Sequence, residues 1–122
     1  MQQFLIVAGQ LMVVAVAIAH LYFMLLEMVL WTRPLGLKTF RNTPERAQAT
    51  RVLAANQGLY NGFLGVGLLV ALLTGNGGML VFLLLCVVVA GGYGAWSVSR
   101  KILYVQAVPA VIALGLLAAT QG

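Results

Sequence analysis

Residues 3–31 read QFLIVAGQLMVVAVAIAHLYFMLLEMVLW, an apolar run holding one imidazole, His20, one carboxyl, Glu27, and no lysine or arginine. A bilayer core needs only about 20 such residues in a helix, so this run is long enough to cross with tilt or overhang. It closes at Thr32-Arg33-Pro34, where the residue before proline leaves helical geometry. Ala17-Ile18-Ala19 resembles a small-x-small cleavage site. Met1-Gln2-Gln3-Phe4 lacks the positive charge of a secretory leader, however, so the run is expected to stay as a first membrane helix.

Three further apolar runs follow, at about residues 52–73, 79–97 and 102–119. The connection at about 32–51 carries Arg33, Lys38, Arg41, Arg46 and Arg51 against the single acid Glu45. Within it Thr43-Pro44-Glu45 has the chemistry of a helix start: a capping hydroxyl, a proline in the first turn and an acid facing the helix dipole. The second helix is therefore expected to begin near Pro44 and to enter the membrane near Val52. Thr74-Gly75-Asn76-Gly77-Gly78 is an uncharged turn, and Ser99-Arg100-Lys101 a short basic one.

Composition agrees with four spans. The 122 residues are 62% hydrophobic and 7% charged, whereas soluble domains carry roughly 25% charged residues. A globule this small cannot hide so much apolar surface, and the excess must face lipid. The net charge of +5 does not indicate nucleic acid, because the seven cations all flank the apolar runs. Retention of loops in the cytoplasm accounts for them, together with attraction to anionic headgroups. Cys86 is the only cysteine and lies in an apolar run, so it forms no internal disulfide and reads as a small hydrophobe.

The sequence thus predicts an all-α polytopic membrane protein. The single domain, residues 1–122, is a bundle of four transmembrane helices. Every cation belongs to the first or third connection, which share one side of a four-span protein. That side is cytoplasmic by the positive-inside rule, so both termini are expected outside.

Polar groups within the spans are costly, by about 2.5–3.5 kcal/mol for a mid-helix Asp or Arg, and here they are not scattered. His20 and Glu27 fall on one face of the first helix, roughly 10 Å apart. Asn56, Gln57, Tyr60 and Asn61 cluster at helical spacing in the second. Tyr93 lies near the basic end of the third, and Gln106 near that of the fourth with Pro109 behind it. All sit in the cytoplasmic half, and together predict a polar pocket near that face. Glu27 is expected to be ion-paired, with Arg100 or Arg33 as partner, or else protonated. The plainer reading is a hydrogen-bond network that fixes the helices, each bond worth about 0.6 kcal/mol. Gly58, Gly62 and Gly65, with Gly91 and Gly94 in the third run, read as close helix packing.

The stretch His20-Leu21-Tyr22-Phe23-Met24-Leu25-Leu26-Glu27-Met28 with Trp31, and the stretch Val52-Leu53-Ala54-Ala55-Asn56-Gln57-Gly58-Leu59-Tyr60-Asn61-Gly62-Phe63, carry a resemblance. With Tyr93-Gly94 and Val105-Gln106-Ala107-Val108-Pro109-Ala110, the chain resembles a bacterial family catalogued as domain of unknown function 1304. The resemblance implies a four-helix inner-membrane protein and no particular chemistry.

Three functions compete. In the first, His20, Glu27, Asn56, Gln57, Tyr60, Asn61, Tyr93 and Gln106 line a site that binds or transports a small cationic or amphipathic, lipid-like molecule. Four helices are few for alternating access, so transport would require a homodimer. In the second, Glu27 and His20 are the acid and base of an isomerase or hydrolase acting on a lipid-like substrate. Against an enzyme stand their separation and the absence of HExxH or a nucleophile elbow. The third is a subunit of a membrane complex docked through its glycine faces. No cofactor or metal is expected, since one His and one Cys offer little ligating capacity.

Overall fold

Gln2–Met28 forms α1, 27 residues long, or about 40 Å at 1.5 Å per residue. The computed structural model describes residues 1–120. Two short helices follow, α2 (Pro34–Phe40) and α3 (Pro44–Ala49), then α4 (Arg51–Leu73), α5 (Gly77–Ser97) and α6 (Arg100–Ala119). No strand occurs among the described residues. Four helices, α1, α4, α5 and α6, are long and apolar enough to cross a membrane.

α1 stops at Met28, three residues short of the Trp31 end expected from hydropathy. The backbone gives the reason. The Leu25 carbonyl accepts from both Val29 and Leu30, and Arg33 N–H bonds to Leu30 O, so the chain winds tightly out of the helix. Gly36 is buried beneath this turn, where a Cβ would collide with the Leu30 carbonyl. Trp31 closes the segment: its indole N–H donates to Thr50 Oγ1 at 3.1 Å and its ring lies 4.8 Å from that of Phe40. Thr50 in turn donates to Arg46 O at 2.7 Å.

The Thr43-Pro44-Glu45 start is present, with Thr43 Oγ1 accepting from Arg46 N–H at 3.2 Å. It opens α3 alone, not the long helix; α3 ends at Ala49 with Thr50 as its cap, and α4 begins with Arg51. Two helix ends use the same closing geometry with different residues. After α4, Gly75 takes φ +69°, and Asn76 N–H bonds back to Ala71 O. After α2, Arg41 takes φ 53°, with Asn42 N–H bonding to Leu37 O. Glycine enters the left-handed region freely, whereas an arginine there costs about 1–2 kcal/mol. Asn76 Oδ1 accepts from Met79 N–H at 3.1 Å and so starts α5 at Gly77.

The chain divides into two compact units, Ile18–Val66 and the combination of Met1–Ala17 with the segment from Gly67 onward. In the second of these, the buried stripe Leu80, Leu84, Val87 and Gly91 runs down α5 at alternating four- and three-residue steps, the repeat of one helix face. The start of α1 lies along the end of α6: a Cβ on Gly9 would be 3.4 Å from Leu116, and the Gln2 side chain donates to Thr120 O at 2.8 Å.

α6 is not regular throughout. Leu103–Ala107 is a π turn, in which Val108 N–H reaches back five residues to Leu103 O. Pro109 is the cause, having no N–H to give and a ring that crowds the carbonyl four residues before it. Widening the preceding turn relieves that crowding. Ala107, at the end of this turn, meets Gly91, where an added Cβ would sit 2.8 Å from both the Ala107 nitrogen and its Cβ. The neighbouring Gly92 faces open space.

The two glycines should therefore answer oppositely to the same substitution. Gly92→Ala is expected to raise stability by up to about 1 kcal/mol through helix propensity. Gly91→Ala is expected to lower it, because backbone stands where the methyl would go. Reversible unfolding in mixed detergent micelles would measure both.

Candidate functional site

The Ile18–Val66 unit is built around the close approach of α1 and α4. A Cβ on Gly58 would lie 2.8 Å from Met28 Cγ, 3.0 Å from Glu27 Cβ and 3.2 Å from the Met24 carbonyl. One on Gly62 would lie 2.6 Å from the Met24 sulfur. Glycine at 58 lets the α4 backbone come up against the α1 main chain, while glycine at 62 leaves room for the Met24 side chain. Gly65, one turn further on, is also buried.

That proximity decides what happens to Glu27. Its residue is 3% exposed, and the Asn61 side-chain amide donates directly to Oε1. Gln57, one turn before Asn61, is a second amide neighbour of the carboxyl. Asn61 lies next to Gly62 in sequence, so the glycine contact brings the amide within reach. Among the described residues His20 and Glu27 are the buried polar or charged side chains. His20, at 1% exposure, has its ring edge-on to Phe23 with centroids 5.3 Å apart.

The four polar residues expected to cluster on α4 separate into two groups. At about 100° per residue, Gln57 and Asn61 turn toward the stripe of Ala54, Gly58, Gly62 and Gly65, while Asn56 and Tyr60 turn away from it. Asn56 is exposed, with its amide bonded to Val52 O of its own helix at 3.2 Å. Tyr60 is 65% exposed, with its ring 5.6 Å from that of Phe63. Neither reaches toward α1 beside Glu27; spacings of three and four bring residues near one another without putting all of them on one face.

The remaining sequence-predicted residues belong to the other unit. Tyr93 is exposed, its ring 5.9 Å from Trp96. Gln106 is half-buried within the π turn, and Arg100 is exposed at the start of α6. A Cβ on Gly94 would lie 2.9 Å from Ile102 Cγ2, against side chain where Gly91 faces backbone.

Sequence reasoning overlooked two structural features. The Trp31–Thr50 bond joins the two edges of the basic connection, a pairing that no local spacing encodes. The π turn did have a signal, in Pro109 within an otherwise helical run. Among the described residues no three His, Cys, Asp or Glu side chains gather as they would around a metal ion. What the site offers is a carboxyl enclosed by amide donors, able to accept further hydrogen bonds or a positive charge.

Four membrane-length helices, with a carboxyl and an imidazole buried on the first, make this a multi-pass membrane protein. The chain belongs to the family described as protein of unknown function (DUF1304), whose match spans residues 14–118. It is also similar to the uncharacterized protein YpaA of Lactococcus lactis subsp. lactis (strain IL1403). Identity is 29% over 103 residues, covering 81% of this chain and 87% of that protein. No solved structure matches the chain.

Removing one member of the Glu27–Asn61 pair should cost more than removing both. Asn61→Leu deprives a buried carboxyl of one of its two amide partners and is expected to destabilise by about 1–3 kcal/mol, whereas the Glu27→Leu, Asn61→Leu double variant should recover most of that loss. A double-mutant cycle by detergent unfolding would give the coupling; additive losses would mean that the bond contributes nothing.

Proposed function

We propose that this protein is a multi-pass protein of the bacterial plasma membrane that binds a small cationic or amphipathic, lipid-like molecule at Glu27. Buried carboxyls within a span are rare, and their ordinary purpose is a partner charge or a ligand. The observation that carries the reading is the environment of this one: Glu27 is enclosed in helix packing yet met by the neutral amides of Asn61 and Gln57. Amides orient a carboxylate without cancelling its charge, so it keeps its attraction for a cation. Gln57 is itself exposed and stands at the margin of the site, where a ligand amine or headgroup could approach from the side of α4. His20, about 10 Å deeper along α1, would set the far end of the site beside Phe23.

The orientation proposed places both basic connections in the cytoplasm and both termini outside. Glu27 then lies within the cytoplasmic half of the bilayer, reachable by molecules from the inner leaflet. A phosphatase that is active only outside the membrane, fused after Gly122, should be active. The same reporter inserted after Asn42 should be inactive, and the reverse pattern would invert the topology.

Native mass spectrometry of the wild-type protein, extracted with its own lipids, tests the binding site. A bound amine or lipid that survives in Asn56→Ala and disappears in Glu27→Gln is the expected result. Equal retention in wild type and Glu27→Gln would remove Glu27 from the site.

A further inference from the structure

The outward face of α4 carries a second pattern, separate from the Glu27 site. Val52, Asn56, Leu59, Phe63 and Val66 are all exposed, and their spacing is 4, 3, 4, 3. That is the repeat of a left-handed helix–helix seam, with Asn56 and Phe63 at the a positions and Val52, Leu59 and Val66 at d. A lipid-facing stripe needs no polar residue, and an exposed asparagine within a span is unfavourable against hydrocarbon. Asn56 bonds through one amide hydrogen to Val52 O. An asparagine side chain has two donor hydrogens and an acceptor oxygen with two lone pairs, so the bond to Val52 leaves both a donor and an acceptor available for an outward partner.

We infer that α4 is the seam of a homodimer, in which the Asn56 side chains of two copies pair across a twofold axis normal to the membrane. The occupant is a second copy, because copies inserted with the same topology place the same residues at the same depth. In a parallel seam the a positions then face each other, Asn56 to Asn56. A carboxamide is its own complement, since each copy offers a donor to the other's acceptor, as an isologous interface requires. A polar residue at a single a position also fixes register, which the surrounding apolar residues cannot do by themselves. Tyr60, one turn beyond Asn56, flanks the seam at an e position. The seam uses none of the groups that enclose Glu27, so it stands or falls independently of the ligand proposal.

The test is disulfide trapping in native membranes, in a Cys86→Ser background. Leu59→Cys, at an exposed d position that leaves Asn56 in place, should give a covalent dimer on mild oxidation, and Val89→Cys, exposed on α5, should not. In lipid dilution experiments read by energy transfer between labelled copies, Asn56→Val should weaken dimerisation by about threefold to thirtyfold, the range measured for single interhelical hydrogen bonds. Cross-linking at 59 no faster than at 89 would overturn the seam. So would a wild-type protein that is monomeric in nanodiscs, or an Asn56→Val variant that dimerises as well as wild type.

Discussion

A carboxyl group buried between two membrane helices has few ways to exist. It cannot be left to hydrocarbon, and water is not at hand to solvate it. The sequence places Glu27 four residues before the Trp31 turn, and the structure meets it with an amide from α4. Everything else in the Ile18–Val66 unit follows from making that meeting possible. Asn61 can donate to Glu27 only if the two helices are close; at residue 58 a side chain would meet the Met24 carbonyl, and at residue 62 it would meet the Met24 side chain. Glycine in a helix costs roughly 1 kcal/mol relative to alanine. That cost is borne twice within four residues of α4, which makes sense if close approach, and not flexibility, is what these positions supply.

The same logic recurs in the other unit with different chemistry. Pro109 obliges α6 to widen over Leu103–Ala107, and a widened turn pushes its backbone outward. Gly91 is the residue that receives it. A proline in one helix is thus matched by a missing side chain on its neighbour. Gly92 has no such duty, although it sits beside Gly91 in a cluster whose members look equivalent in the sequence.

Much of this was legible beforehand, for a physical reason. Hydropathy integrates over some twenty residues, so the four spans stand out whatever the local packing, and the helix start at Thr43 follows from a side chain that bonds to nearby backbone. Less legible was anything that depends on which way a helix faces. Asn56, Gln57, Tyr60 and Asn61 differ by one to five positions, yet two of them address α1 and two do not. Nor could the end of α1 be read from hydropathy, because Val29 and Leu30 are as apolar as what precedes them. Contacts after the turn stop the helix there: Gly36 beneath Leu30 and Trp31 against Phe40 and Thr50.

The basic connection shows how such a turn is made firm with little apolar material. Trp31 spends its ring on Phe40 and its N–H on Thr50, tying the exit of α1 to the entrance of α4 across nineteen residues. Thr50 uses one hydroxyl for two purposes, accepting from the indole and donating to Arg46 O. Closing a loop of this length costs conformational entropy that grows only slowly with length, so a few specific bonds are enough to hold it. The tie also bears on Glu27. With α1 and α4 joined at their basic ends, the rotation of each helix about its axis is restrained within two turns of the carboxyl. A rotation of about 100°, one residue's worth, would carry Asn61 away from Glu27 and bring another side chain in its place. The exactness of the buried contact therefore rests on an aromatic residue in the connection as much as on the glycines in the span.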